Sequence, residues 1–230
     1  MRPNRNQTTL NSGSQKEFGS PVISLDVWED KPDVEVWKSF KGGDEQAFNF
    51  LYRKYVQQLF NYGCQFSRDK EFVKDCIQDL FIYLRRQRSK LGDTSSIKAY
   101  LFKSLRRDVL RKIKKEKKRQ IEPLGNYQDF EISLSPETKL IHGQLIEEKR
   151  NHLEKALAKL SVKQREAIIL YYYENLGYKE IAEILEMKMV KSARKLVYRA
   201  MDTLRDEILP YRTSLINSII LLIFLQYFFS

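Results

Sequence analysis

The sequence predicts an all-α protein of two small helical domains joined by a flexible linker. Apolar residues make up 42% of the 230-residue chain, which is enough for each domain to bury a core. The six prolines lie near the two ends and between residues 123 and 136, so long stretches of chain are free to be helical. Within these stretches apolar residues recur three or four positions apart, which is the spacing of one helix face.

The first 34 residues are polar, rich in Asn, Ser and Gln, and interrupted by Pro3, Pro21 and Pro32. We therefore expect residues 1–34 to form a flexible arm. Because this segment lacks the apolar core of a secretory signal, we also expect the protein to be cytoplasmic.

Residues 35–119 are predicted to form the first domain, because three apolar stripes with helical spacing follow one another there. The stripes run over Phe48–Tyr62, Val73–Leu84 and Ile97–Ile113. The third stripe continues into a basic stretch, Lys103–Arg119, in which ten Lys or Arg face only two acidic residues, a net charge of +8. Such a patch is typical of a surface that contacts a polyanion.

A second helical domain is predicted at residues 148–210, after a linker at residues 120–147 that contains two prolines and two glycines. Ser161 followed by Gln164 is the pattern of a capping box, which predicts a helix start. Two further helices are predicted at Lys179–Leu185 and at about Ser192–Leu209, separated by a few residues. This spacing indicates a helix-turn-helix.

The second helix of this pair is predicted to enter the major groove of DNA. Its region, Lys188–Arg205, carries six basic residues against one acidic residue, a net charge of +5, which leaves −2 of the total +11 for the rest of the chain. The apolar stripe faces inward, so a polar and basic face near the N-terminal half is left for phosphates and base edges. The residues of that face are Lys191, Ser192, Arg194, Lys195, Tyr198 and Arg199.

Three segments of the chain resemble extracytoplasmic-function sigma factors, in the order and spacing of that family. GYKEIAEILEMKMVKSARKLVYRAMDTLRDEI, from Gly177, is similar to the domain that recognises the upstream promoter element, sigma domain four. DCIQDLFIYLRR, from Asp75, resembles the polymerase-binding helix of sigma domain two. IKAYLFKSLRRDVLRKIKKEKKR, from Ile97, resembles the helix that recognises and melts the downstream element. The resemblance implies a transcription initiation factor that brings core RNA polymerase to promoter DNA.

The resemblance also implies roles for individual residues in the first domain. It places Asp75, Gln78, Asp79 and Phe81 on the surface that binds the coiled coil of the polymerase's largest subunit. The two aspartates are four positions apart and face away from the apolar stripe, which suits a basic partner.

The downstream element would be contacted by cations and by planar side chains of the third helix, since melting requires both. The loop at about Gln87–Ile97 corresponds to the one that captures a flipped base in similar factors. Tyr100 stands where the family usually has Trp, and Arg107 and Arg111 stand where it favours Asn and Asp. The candidate residues are Tyr100, Lys103, Arg106, Arg107 and Arg111.

Other classes of function fit the sequence less well. His142 and His152 are the only histidines, and no phosphate-binding loop, metal cluster or nucleophile motif is present, so we expect no enzyme activity, cofactor, metal or small-molecule substrate. A one-component helix-turn-helix repressor is the alternative, and it would be a dimer on a palindromic site. A membrane-bound adaptor would explain neither basic patch.

The C-terminal segment 211–230 is predicted to be a hydrophobic tail. It contains fifteen residues without charge, Leu215–Phe229. As a helix they would span roughly 22 Å, which is less than the roughly 30 Å of a bilayer core. We expect this tail to pack on the domains or to be buried in a partner such as an anti-sigma factor at the inner membrane. Membrane association through the tail stays open.

Overall fold

The computed structural model describes residues 26–119 and 153–208, and both ranges are built from helices, with no β-strand among these residues. The all-α prediction and the two helical domains are confirmed. The predicted linker, the hydrophobic tail and most of the predicted N-terminal arm lie outside the described residues. None of the helices described is long and apolar enough to cross a bilayer.

The first domain consists of five helices and one short 3-10 turn. They are α1 (Asp26–Glu29), α2 (Asp33–Lys41), α3 (Glu45–Gly63), α4 (Lys70–Gln87), the turn Arg88–Lys90 and α5 (Ile97–Arg119). Asp44 and Asp69 cap α3 and α4, because each side chain accepts hydrogen bonds from two backbone amides of the first turn. These caps explain why both helices begin where they do.

Ordered structure begins before residue 35, the predicted start of this domain. The Trp28 side chain in α1 is only 7% exposed, and Glu29 forms an ion pair with Lys54 of α3. Burying one large aromatic side chain anchors α1 although its four residues are too few to show a helical period.

The core of the first domain lies where α3, α4 and α5 pack against one another. Gly63 permits the close approach of α3 and α4, since a Cβ at this position would lie 2.6 Å from Cγ1 of Val73. The indole of Trp37 donates a hydrogen bond of 2.9 Å to the carbonyl of Gly92, and Asp33 accepts one of 2.7 Å from the amide of Ile97. These two bonds hold the loop before α5 against α2.

The second domain contains a helix-turn-helix, as predicted. Its helices are α6 (described over 153–159), α7 (Val162–Ile168), a π-helical turn (Ile169–Tyr173), α8 (Tyr178–Ile184) and α9 (Val190–Ile208). The capping box of Ser161 and Gln164 is confirmed at the start of α7. After α8, Glu186 takes a positive φ of 54°, and the amide of Met187 donates to the carbonyl of Ala182, which ends the helix.

The two domains are in contact. Helix α5 packs against α8, and one apolar cluster continues from the first domain into α8 and the start of α9. A second, smaller cluster lies within the second domain, among α6, α7 and α9. The direct contact was not predicted from the sequence.

Candidate polymerase and nucleic-acid interfaces

An acidic strip runs along the exposed side of α4. Asp75, Gln78 and Asp79 are exposed, while the opposite face of the helix is buried in the core. Lys112 of α5 donates to Asp79 at 2.7 Å, but the Asp79 side chain is still 64% exposed. Asp75 has no ion-pair partner among the described residues. Asp75 is therefore the carboxylate of this strip that is most available to an external cation.

Phe81, by contrast, is only 4% exposed and makes edge-to-face contacts with the rings of Tyr52 and Phe48. It lines a groove of about 720 Å³ between α3 and α4, beside Gln78. The most exposed apolar side chains of this groove are Tyr52 and Ile82, which are 44% and 39% exposed. Neither residue was predicted to belong to this surface: Tyr52 lies within the apolar stripe Phe48–Tyr62, and Ile82 lies in the segment Val73–Leu84.

Helix α5 presents three of its five candidate DNA-binding residues to solvent. Lys103, Arg107 and Arg111 are exposed, and Arg111 forms an ion pair with Asp108. Tyr100 is half-buried, with its ring centroid 5.0 Å from that of Trp37. Packing against Trp37 holds the Tyr100 ring in a fixed position at the start of the helix.

The fifth candidate, Arg106, points towards the second domain. Its guanidinium donates from Nε to Oε1 of Glu166 at 2.7 Å and from Nη2 to Oε2 at 3.3 Å. The side chain is 14% exposed. In this arrangement of the domains Arg106 is held by a carboxylate.

The recognition helix α9 carries its candidate residues on one face. Five of them are exposed and Ser192 is half-buried, whereas Ala193, Val197 and Ala200 are buried against the rest of the domain. The exposed candidates are Lys191, Arg194, Lys195, Tyr198 and Arg199. This is the division between an inward stripe and a polar face that helical spacing predicts.

Two of these residues form a stacked unit. The guanidinium of Arg194 lies 5.3 Å from the ring centroid of Tyr198, and its Nη2 is 3.4 Å from the Tyr198 hydroxyl. The hydrogen bond from Arg194 lowers the pKa of Tyr198. Tyr178 of α8 stacks on Tyr171 at 5.0 Å and lies 6.4 Å from Tyr198. This aromatic support could not be predicted from the sequence, because it joins residues from three helical segments.

Two family models match the chain in the order expected from the sequence. The model for sigma-70 region 2 matches residues 51–119, and the model for sigma-70 region 4 matches residues 150–204. Together they cover more than half of the chain. The chain belongs to the sigma-70 family, as an extracytoplasmic-function sigma factor.

Curated relatives of this sigma factor agree with that assignment. The RNA polymerase sigma factor YlaC of Bacillus subtilis is 25% identical over 141 residues, which is 61% of this chain and 80% of YlaC. The extracytoplasmic-function sigma factor SigX of the same organism is 24% identical over 173 residues, 72% of this chain and 89% of SigX. The chain is thus a sigma factor that directs RNA polymerase to promoters, not a one-component repressor.

Solved structures share the fold of this sigma factor. CnrH, in complex with the cytosolic domain of CnrY, superimposes with a TM-score of 0.52 at 19% identity, covering 79% of this chain and 99% of CnrH. The sigma factor RpoE, in complex with the anti-sigma factor NepR from Bartonella quintana, gives a TM-score of 0.50 at 22% identity, covering 72% and 98%.

Proposed function

We propose that this sigma factor works by binding alone, with three helices that contact three different targets. Helix α4 docks on the core enzyme, α5 holds and opens the downstream promoter element, and α9 recognises the upstream element. The polymerase supplies the catalysis, and the sigma factor uses no cofactor or small-molecule substrate. The observation that carries this proposal is the separation of one acidic and two basic surfaces onto three helices.

The surface of α4 suits a basic, partly apolar partner such as the coiled coil of the polymerase's largest subunit. Asp75 and Asp79 supply negative charge, and Tyr52 and Ile82 supply exposed apolar area beside them. Phe81 supports this surface from below, since it lies in the core under Tyr52. Charged groups around an apolar centre are the usual composition of a specific protein interface.

The surface of α5 combines cations with a planar side chain. Lys103 and Arg107 are placed to bind backbone phosphates, and Arg111 joins them once it leaves Asp108. The Tyr100 ring offers a face on which an unpaired base can stack. The loop at Gln87–Ile97, fastened to α2 by Trp37 and Asp33, is proposed to receive the flipped base.

The surface of α9 is partly organised before DNA binds. Stacking on Tyr198 restricts the Arg194 side chain, which reduces the entropy lost when the guanidinium pairs with a guanine edge. Lys191, Lys195 and Arg199 surround this unit, and Ser192 lies at the start of the helix. These residues are proposed to divide between phosphate and base contacts.

We further propose that an anti-sigma factor regulates this protein, because both similar structures are complexes with CnrY or with the anti-sigma factor NepR. The protein itself is proposed to be cytoplasmic. The tail at 215–229 is proposed to be buried in that partner, which would bring the protein to the inner membrane, or against its own domains, which would not. Membrane fractionation of the full chain and of a variant that lacks residues 213–230 distinguishes the two. An unchanged, wholly soluble distribution would exclude membrane association through the tail.

Charge reversal on α4 tests the polymerase surface. We expect Asp75→Arg to weaken binding to core RNA polymerase at least about tenfold, because the substituted side chain repels a basic partner. Asp30→Arg is the matched control, since it makes the same change of charge at an exposed turn between α1 and α2. Equal binding of the two variants to immobilised core enzyme would contradict the proposed role of α4.

A further inference from the structure

A series of aromatic contacts joins the recognition helix α9 to the rest of the second domain. Tyr178, the first residue of α8, stacks on Tyr171 with a centroid distance of 5.0 Å and an angle of 10° between the ring planes. The Tyr178 centroid also lies 6.4 Å from that of Tyr198, whose ring in turn carries the guanidinium of Arg194 at 5.3 Å. These contacts lead from the π-helical turn to a candidate base-contacting residue without a break.

The π-helical turn provides a well-packed start for this series. Tyr171 and Tyr172 both lie in the turn Ile169–Tyr173, and both are half-buried against the apolar core. Their rings meet edge to face at 4.9 Å, so Tyr171 is held by Tyr172 as well as by Tyr178. Turns of this kind are rare and often occur at functional sites. Tyr178 therefore stacks on a ring that its own surroundings hold in place.

The hydroxyl groups of the same residues reinforce the ring contacts. Hydrogen bonding with Tyr171, together with burial and hydrogen bonding with Tyr198, raises the pKa of Tyr178. Hydrogen bonds from Arg194 and from Tyr178 lower the pKa of Tyr198. Tyr198 is thus held by a residue of α8 as well as by a residue of its own helix.

The outer end of the series is exposed, and this makes the contact from α8 important. Arg194 is exposed, and the Tyr198 side chain is 50% exposed. Long exposed side chains sample many rotamers, and ordering them costs free energy. Tyr178 is half-buried and reaches Tyr198 from outside α9, so it restricts the ring on which the guanidinium stacks.

We propose that Tyr178 is a positioning residue for promoter recognition, which orients the Arg194 guanidinium through Tyr198 without touching DNA itself. An oriented guanidinium pairs with the O6 and N7 acceptors of guanine at a smaller entropic cost than a mobile one. This inference rests on the proposed base contact of Arg194. It extends the residues that determine sequence preference to α8, the first helix of the helix-turn-helix.

Substitutions at position 178 of the full-length chain, assembled with core RNA polymerase, test the proposal. Selection from a randomised upstream element measures the preference for each base. We expect Tyr178→Leu, which removes the ring stack, to lower the preference at the base pair contacted by Arg194 about fivefold. Tyr178→Phe keeps the ring and should lower that preference only about twofold. The slope of log affinity against log salt should stay the same, because no charge changes.

A double-mutant cycle with Arg194→Ala shows whether Tyr178 acts through Arg194. Arg194→Ala should remove the preference at this base pair, and adding Tyr178→Leu should then change base preference no further. The proposal is overturned if Tyr178→Leu leaves base preference unaltered in the otherwise unmodified chain. It is also overturned if Tyr178→Leu causes an equal loss in the Arg194→Ala background.

Val162→Ala is the control for a general loss of packing, because it shortens a half-buried side chain of the same domain that packs on the same apolar cluster. It should leave base preference unchanged, and a shift as large as that of Tyr178→Leu would refute the positioning role. Circular dichroism shows whether each variant is folded. If Tyr178→Leu is not, Tyr178→Phe and its own cycle with Arg194→Ala decide the question.

The same data separate this inference from the proposed function on which it rests. If Arg194→Ala does not alter base preference, the proposed base contact of Arg194 is wrong and the positioning role of Tyr178 fails with it. If Arg194→Ala alters base preference and neither variant at position 178 does, only the positioning role is wrong and the proposed function stands.

Discussion

Basic side chains on α5 and α9 differ in whether an acidic side chain already neutralises them. Arg205 forms ion pairs with Asp202 and Asp206, and Lys112 with Asp79 and Asp108. Lys191, Lys195 and Arg199 are exposed and have no ion pair among the described residues. The unpaired cations can therefore bind phosphate without first losing a protein partner.

This difference leads to a prediction for two positions on the same helix. Lys195→Ala should weaken binding of the polymerase holoenzyme to the upstream element and reduce the slope of log affinity against log salt by about one. Arg205→Ala should leave both quantities unchanged, because this side chain lies near the other end of α9 and is neutralised locally. Equal effects of the two substitutions on the salt slope would count against α9 as the DNA-binding face.

The stacking of Arg194 on Tyr198 leads to a different prediction. Arg194→Lys keeps the positive charge but loses the planar group that stacks and pairs with a guanine edge. We expect discrimination among upstream sequences to fall by about 1–3 kcal/mol while the salt slope is unchanged. Arg199→Lys is the control, because it makes the same exchange at an exposed position of the same face where no ring contact with Tyr198 is lost. We expect it to change base preference less than Arg194→Lys does. Selection from a randomised upstream element measures both variants, and unaltered base preference for Arg194→Lys would argue against direct base contact.

At the scale of helices, the packing of α3 on α4 depends on a residue without a side chain. A methyl group at Gly63 would lie 2.6 Å from Cγ1 of Val73, so α3 and α4 would have to move apart. We expect Gly63→Ala to lower the free energy of unfolding by about 1–3 kcal/mol. Gly92→Ala should be close to neutral, because no atom lies within 4 Å of a Cβ there. Chemical denaturation of both variants measures the difference, and a neutral Gly63→Ala would mean that the helices are less tightly packed.

Helices that are long or clearly capped were predictable from the sequence, because periodicity and capping act over neighbouring residues. The stripe of α4, the capping box before α7 and the pair α8 and α9 all appear within about two residues of their predicted positions. Helix α1 was not foreseen, since its position depends on the burial of Trp28 against residues distant in sequence.

The candidate surfaces were predictable only in part, for the same reason. Helical spacing determines which side of α9 faces outward, so its exposed residues could be selected from the sequence alone. Spacing cannot show that Arg106 meets Glu166, which is sixty positions away and in the other domain. Nor could it identify Tyr52 and Ile82 as exposed apolar residues beside the acidic strip of α4.

At the scale of the whole molecule, the domain contact connects the three proposed surfaces. The strip of α4 and the basic face of α9 are exposed, whereas Lys98 and Arg106 of α5 are held by carboxylates of the second domain. We therefore expect the free protein to have little affinity for DNA and to gain it with core polymerase.

Run-off transcription from a genomic DNA library, with purified core RNA polymerase and with or without this protein, tests the central claim most directly. The account predicts discrete new transcripts that depend on the protein, share a two-part upstream motif and are strongly reduced with Asp75→Arg. The absence of core-dependent transcripts, together with binding of the protein alone to a palindromic site, would contradict it.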